Sequence, residues 1–281
     1  MDEAILRIYR PAVRYHGGKF RLAPWIIRHF PDHVTYVEPF GGGASVMLRK
    51  EQSTNEIYND LDGEVVNFFQ VLRSDPDELI RLLSLTAYSR AELDLAFQPC
   101  LDPLERARRF YVRAWQARGK STAQWRSGWR FQKNNKRSRN PVQDWNRLDH
   151  LWSIVARLKD VFIENSDALE CIQRYDAPKT LFYIDPPYPL NTVGLRWSHK
   201  AYAHDFCDEQ HVELAQILQG IQGMALVSGY RCSLLDGLYA GWTADSVMSR
   251  TDNAQQPRRE YLWVSPNCEA KRSQLKLWNE R

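Results

Sequence analysis

Thr180-Leu181-Phe182-Tyr183-Ile184 runs straight into Asp185-Pro186-Pro187-Tyr188. The first five residues are apolar, aromatic or β-branched, which is the composition of a buried strand. Two consecutive prolines then stiffen the backbone and remove two N–H donors, while their carbonyls remain free to accept. The junction therefore holds a carboxylate, rigid acceptors and an aromatic face at the carboxyl end of a strand. Open α/β sheets place their ligands there.

Upstream, Val34-Thr35-Tyr36-Val37-Glu38 reads as a strand, Pro39-Phe40-Gly41-Gly42-Gly43-Ala44 as a glycine turn, and Ser45 to Lys50 as a helix. Strand, glycine turn and helix in that order let a small charged ligand approach the backbone closely. The spacing is not that of a dinucleotide fingerprint, which disfavours hydride chemistry with a nicotinamide cofactor. A second strand, Glu56-Ile57-Tyr58-Asn59, ends in Asp60. An acid at that distance from a glycine turn is placed to hold ribose hydroxyls, or else to cap the next helix. Asp62 can cap the apolar-periodic stretch from Gly63 to Leu72 equally well, which leaves Asp60 for a ligand. Nearer the start, Arg14-Tyr15-His16-Gly17-Gly18-Lys19-Phe20-Arg21 is a glycine turn before an amine, either a solvated turn or a group aimed at an anion. The spacing of a phosphate-binding P-loop is absent.

Between Arg73 and Lys159 the strand pattern disappears. Asp75-Pro76-Asp77-Glu78 reads as a capped helix start and Ser89-Arg90-Ala91-Glu92 as a capping box. Pro103 to Ala117 reads as a helix with Leu104, Ala107, Phe110, Tyr111 and Ala114 on one face. The stretch 74–159 is thus an insertion that divides an α/β unit into 1–73 and 160–281. From Arg106 to Arg139 there are twelve Lys/Arg and no acid, and the rest of the chain holds 26 basic against 34 acidic residues, a net of −8. Such a local excess points to a nucleic-acid surface. Its centre interleaves Trp125, Arg126, Trp129, Arg130 and Phe131 with Lys133, Asn134, Lys136 and Arg137. That alternation suits a hairpin or ordered loop that enters a groove, where Arg reads guanine and aromatics stack or wedge. Val142, Trp145, Leu148, Trp152 and Val155 form a helical stripe expected to face the core.

Beyond the insertion, Val161 to Glu164 reads as a strand, and Asp167 either caps the helix to Arg174 or meets a ligand. The polar loop 189–207 is long enough for a lid and carries Trp197, His199, Lys200 and Tyr202. A helix from Asp208 to Leu218, with His211 as a packing residue, and strands Met224 to Ser228 and Arg259 to Val264 complete the pattern. The bulk numbers suit a soluble globular chain: 281 residues, 43% hydrophobic, 26% charged, net +4. No signal-peptide core or membrane-length apolar run is present, and five scattered cysteines without metal spacing read as free thiols of a reducing cytoplasm.

Taken in order, these motifs resemble the Dam-type DNA adenine-N6 methyltransferases (D12 class, alpha group) of bacteria and their phages, over roughly residues 10–230. The resemblance implies an α/β, Rossmann-like fold dependent on S-adenosylmethionine, with a mainly parallel seven-stranded sheet. It also implies an inserted, mostly helical recognition domain with a hairpin that binds double-stranded DNA. Tyr15 and Lys19 match the family's N-terminal cofactor contacts, although Tyr15-His16 stands where relatives often carry Trp-Ala. Glu38, Pro39, Phe40, Gly41 and Gly43 match the turn around the methionine moiety, Asp60 the ribose acid, and Asp167 the position near the cofactor's adenine. Asp185 matches the residue between cofactor and base. The implied chemistry has Asp185 and the Pro186 carbonyl accept the two hydrogens of a flipped adenine's amine, beside Pro187 and with Tyr188 stacked on the base. No metal is implied; a short GATC-like site, a monomer and a bacterial cytoplasm are. Cytosine-N4 methylation would usually bring Ser in place of Asp185, and a non-catalytic DNA-binding protein would have no use for Asp60. An RNA or protein substrate is the third alternative, which the basic aromatic insertion disfavours.

Overall fold

The computed structural model describes residues 8–118, 128–131, 140–189, 206–249 and 258–279. Seven strands form one sheet: β1 (Thr35–Glu38), β2 (Asn55–Asn59), β3 (Val161–Glu164), β4 (Thr180–Ile184), β5 (Met224–Gly229), β6 (Thr243–Ser249) and β7 (Arg258–Val264). Their order is β3-β2-β1-β4-β5-β7-β6. The pairs β1–β2, β1–β4, β2–β3 and β4–β5 are parallel, while β7 runs antiparallel to both β5 and β6. Strands β4 and β5 are buried along their whole length, as strands covered on both faces must be, and so read as continuous apolar runs. Edge strand β6, Thr-Ala-Asp-Ser-Val-Met-Ser, is mostly exposed and has no such run, so residue patterns gave no sign of it.

The chain steps outward from β1 to β2 and β3 on one side, then returns to β4 and β5 on the other. The crevice outside the carboxyl ends of β1 and β4 is therefore the switch point at which sheets of this kind bind ligands. On one face, Cys171 and Ile172 of helix α8 (Ala168–Tyr175) and Leu214 and Leu218 of α9 (Asp208–Gly220) pack on Phe182 and Val227. On the other, Phe68 and Phe69 of α2 (Gly63–Ser74) join Tyr36 and Tyr58 of the sheet. Leu79 and Leu83 of α3 (Pro76–Leu85), Leu93 of α4 (Arg90–Ala96), Phe110 and Tyr111 of α5 (Pro103–Gln116) and Trp145 belong to that same cluster.

Several local expectations need correction. Ser45 to Lys50 is not a regular helix but a set of turns, with Leu48 bonded to Ala44 and Arg49 to Val46. The positive φ of Gly42 (47°) and Ala44 (51°) keeps the chain from entering a right-handed helix there. Asp75 makes no side-chain bond at the start of α3. Ser89 does cap α4, accepting from the Glu92 amide at 3.1 Å, but the Glu92 carboxylate bonds Arg108 at 2.7 Å. The stripe from Val142 to Val155 is broken between α6 (Pro141–Trp145) and α7 (His150–Leu158), so the period is lost. Trp145, Leu148 and Val155 are buried, whereas Val142 and Trp152 are 40% and 43% exposed.

Candidate active site

The catalytic-looking loop begins where β4 ends. Both Asp185 carboxylate oxygens lie 2.9 Å from Lys19 Nζ, which also donates to the Gly17 carbonyl at 2.9 Å. The lysine of the N-terminal glycine turn is thus aimed at an anion, and the anion is Asp185. Ser228, near the end of β5, donates to Asp185 Oδ1 at 2.8 Å, and the Tyr183 hydroxyl stands 3.0 Å from Ser228 Oγ. Tyr188 is 8% exposed. Its hydroxyl donates to Glu260 and lies 3.1 Å from Asp185 Oδ1, while Tyr230 packs edge-on to its ring. Pro186 is buried. The Pro187 carbonyl accepts from His211 Nε2 at 3.1 Å. Burial lowers the His211 pKa to about 4, so its ring is neutral and its one N–H faces that carbonyl.

The glycine turn is held from three sides. Asp60 accepts from the Gly42 amide at 2.7 Å and the Asp62 amide at 2.8 Å. Tyr58 donates to the Gly42 carbonyl at 2.7 Å, and Asn59 donates to the carbonyls of Pro39 at 2.9 Å and Ser166 at 3.0 Å. A Cβ on Gly41 would sit 2.3 Å from the Tyr58 ring, and one on Gly42 would sit 2.8 Å from the Tyr15 ring. Tyr15 therefore packs against a turn that only glycines let it approach. Phe40 packs edge-on against Phe206 at 5.4 Å. Glu38 Oε1 accepts from Tyr36 Oη at 2.7 Å and the Met47 amide at 2.6 Å. Burial nonetheless pushes the Glu38 carboxyl up to about 8, and it lifts Asp60 to about 6 against the pull of the two amides.

These residues line one cleft of roughly 940 Å³, open solvent at its mouth included. Tyr15, Lys19, Glu38 to Gly43, Asp60, Asp167, Asp185 and Pro187 all line it, whereas Pro186 and Tyr188 do not. Asp62 caps α2, accepting from Glu64 N at 2.9 Å, so Asp60 is free of that task. Asp167 caps α8 through the Leu169 amide at 2.8 Å and also lines the cleft. Asp60, Asp62, Asp167 and Asp185 stand there against Lys19. Such a lining repels a polyphosphate and suits a hydroxyl-bearing cation.

The insertion is described only in part. Of the residues expected to meet nucleic acid, Trp129 and Arg130 are described; Arg126, Lys133, Asn134, Lys136 and Arg137 lie outside the described residues, as do Trp197, His199, Lys200 and Tyr202. Trp129 pairs with Ala117 in an antiparallel bridge, stacks on Phe131 at 5.9 Å and lies under the Arg90 guanidinium at 4.6 Å. Arg130 pairs with Asp144 at 3.1 Å. The arginines of α5 are also partnered: Arg106 and Arg113 by Glu64, Arg108 by Glu92 and Glu105, Arg109 by Glu105. Four arginines in the first third of the basic stretch thus share three carboxylates, which offsets most of the charge there.

Two residues of the site were missed by sequence reading, Ser228 and Glu260. Glu260 left one signal, an acid at the head of the apolar run Tyr-Leu-Trp-Val of β7. Among the described residues no group of His, Cys, Asp or Glu is placed to hold a metal ion, and no helix is long and apolar enough to cross a membrane.

A mostly parallel seven-stranded sheet with an acid-lined cleft at its switch point defines a Rossmann-like methyltransferase fold. Residues 15–252 match the D12 class N6 adenine-specific DNA methyltransferases, and the chain belongs to that family. It is 24% identical over 279 residues to the type II methyltransferase M.MjaIII of Methanocaldococcus jannaschii, covering 86% of this chain and 91% of the relative. It is 25% identical over 235 residues to the DNA adenine methylase of Salmonella typhi, covering 80% and 82%. The DNA adenine methylase of Escherichia coli K12 is 27% identical over 222 residues, covering 75% and 76%. The reaction of the family is methylation of adenine N6 in DNA.

Proposed function

We propose that Asp185-Pro186-Pro187-Tyr188 is the loop at which an adenine extruded from duplex DNA is methylated, with S-adenosylmethionine held in the adjoining cleft. The observation that carries this reading is the position of Asp185, at the switch point, between the acid-lined cleft and the Tyr188 ring. The donor set of the cleft fits that cofactor: Asp60 for ribose hydroxyls, Glu38 and the turn Pro39 to Gly43 for the charged methionine end, Asp167 for the base, and Tyr15 and Lys19 closing the N-terminal side. When bound, the cofactor supplies an electrophilic methyl group on a sulfonium.

The chain's own residues do the rest. The adenine amine is a poor nucleophile because its lone pair is delocalised into the ring. Asp185 and the Pro186 carbonyl each accept one amine hydrogen, which draws N6 toward tetrahedral geometry and aims its lone pair. The proton that N6 loses passes to Asp185 or to solvent. Positioning supplies most of the rate. DNA is held by the insertion 74–159, whose helices share a core with the α/β unit 1–73 and 160–281. Arg126, Trp129, Arg130, Lys133, Asn134, Lys136 and Arg137 form its contact surface on a short, GATC-like site.

Asp185→Ala tests the reading. Methylation of duplex DNA should fall at least ~100-fold, the scale of a lost acid–base group, while cofactor binding and thermal unfolding persist. Full activity of that variant overturns the assignment. Mapping N6-methyladenine in DNA from cells that express the protein identifies the site.

A further inference from the structure

Glu260 is buried at 2% exposure, and no step of the mechanism above uses it. Its place follows from the sheet. Strand β7 alone runs against its neighbours, so its first residues lie at the end where the parallel strands finish. Glu260 is third in β7, opposite Val247 of β6. It therefore meets Asp185 and Tyr188, which leave β4 at that same end. Five groups face it: Lys19 of the N-terminal turn, Tyr183 of β4, Asp185 and Tyr188 of the loop, and Tyr230 after β5.

Counting hydrogens shows what Glu260 does. Tyr188 has one hydroxyl hydrogen and two carboxylates beside it; the closer contact is with Glu260. Asp185 Oδ1 is then served by Ser228 and Lys19. A substrate amine that approaches Asp185 shares the carboxylate with that lysine, which lies 2.9 Å from both of its oxygens. A lysine released into a buried site without another anion would be stranded at high cost. Glu260 Oε1 lies 3.6 Å from the same Nζ. A movement of roughly 1 Å turns that separation into a hydrogen bond.

We propose that Glu260 is the positioning residue of this site: it anchors the Tyr188 hydroxyl and gives Lys19 a second carboxylate, so that Asp185 can release the lysine and accept from the substrate amine. The inference rests on the reading of Asp185 as the amine acceptor. Burial raises the Glu260 pKa and Asp185 adds to the rise, opposed by Lys19, which fits two carboxylates that share one cation.

The test uses the full-length protein with Glu260→Gln and Glu260→Asp. Single-turnover methylation of unmethylated bacterial chromosomal DNA is followed from pH 5 to 9 with saturating S-adenosylmethionine. Glutamine can still accept from Tyr188 but cannot draw Lys19 away. The plateau rate of Glu260→Gln should therefore drop by ~10-fold or more, with cofactor and DNA dissociation constants within about threefold of wild type. Loss of a like-charged neighbour should also move the acidic limb of the profile to lower pH. Glu260→Asp restores the anion and should recover part of the rate. A wild-type rate and profile in Glu260→Gln, with Asp185→Ala inactive, overturns this proposal alone. Loss of cofactor binding together with the rate overturns it too, because Glu260 is then a folding residue. Normal methylation by Asp185→Ala overturns the reading of the loop and this proposal with it.

Discussion

Two buried ion clusters sit at opposite ends of one sheet and are built to opposite rules. At the start of β2, Glu56 is fully buried and accepts from Lys50 at 2.5 Å, from Arg157 at 2.8 Å and from the Ser53 amide at 3.0 Å. Two cations serve one carboxylate, and Lys50 has further partners in Ser53 Oγ and the Glu51 carbonyl. Although burial pushes Glu56 up, the bonds from Arg157 and Lys50 leave its pKa below the ordinary value. At the finish of β4 the ratio is inverted, with Lys19 shared between Asp185 and Glu260 beside an open cleft. The first cluster holds strands and helices together. The second keeps an ion whose partner can change.

The sharpest way to break this contrast is to remove one member of each cluster. Glu56→Ala strands two buried cations and should cost about 3–5 kcal/mol in urea unfolding. Lys19→Met should cost less, about 2 kcal/mol or under, yet reduce methylation far more than its stability loss explains. If Lys19→Met proves the more destabilising, the distinction between the clusters is wrong.

The next effect is in pH. The pKa values of Glu38 and Asp60 are raised in the fold, to about 8 and about 6 from 4.5 and 3.8. The stability tied to their neutral forms is complete below their unfolded values and is lost as pH rises through the folded ones. Glu56 has the depressed value, so its contribution is present above the ordinary glutamate range and is lost as pH falls. The cofactor-free protein should weaken between about pH 5 and 8, and Glu38→Gln should remove on the order of 2 kcal/mol of that decline. Glu56→Gln should flatten the acid limb instead. Urea melts at several pH values separate the two; a Glu38→Gln profile parallel to wild type removes the electrostatic account of the cleft.

The smallest effect is expected outside both clusters. Trp152 is half exposed on α7 despite its place in an apolar stripe. Trp152→Ser should change unfolding free energy by no more than ~0.5 kcal/mol, measured under the same conditions.

What the sequence made legible was local. The stiff loop after β4, the glycine turn, Asp60 and Asp167 announce themselves through neighbours in the chain, and the sheet joins them at one cleft. What stayed hidden depends on distance along the chain. Lys19 and Asp185 are 166 residues apart, and Tyr188 and Glu260 are 72 apart. Counting charge from Arg106 to Arg139 could not show that Glu64, on another helix, pairs with both Arg106 and Arg113. Nor could periodicity find β6, whose solvent-facing sequence lacks an apolar code. The stripe from Val142 to Val155 misled because it assumed one helix where a turn divides two.

The reversal of β7 has a consequence for the order of events in biosynthesis. The cleft's glycine turn, Asp60, Asp167 and the loop Asp185 to Tyr188 all precede residue 190. The Tyr188 anchor arrives only with Glu260, in the final strand to be made. A chain still on the ribosome holds those cleft-lining residues before it has the carboxylate that accepts from Tyr188. On this account the activity switches on with completion of the sheet, and an unfinished chain carries no working methylase.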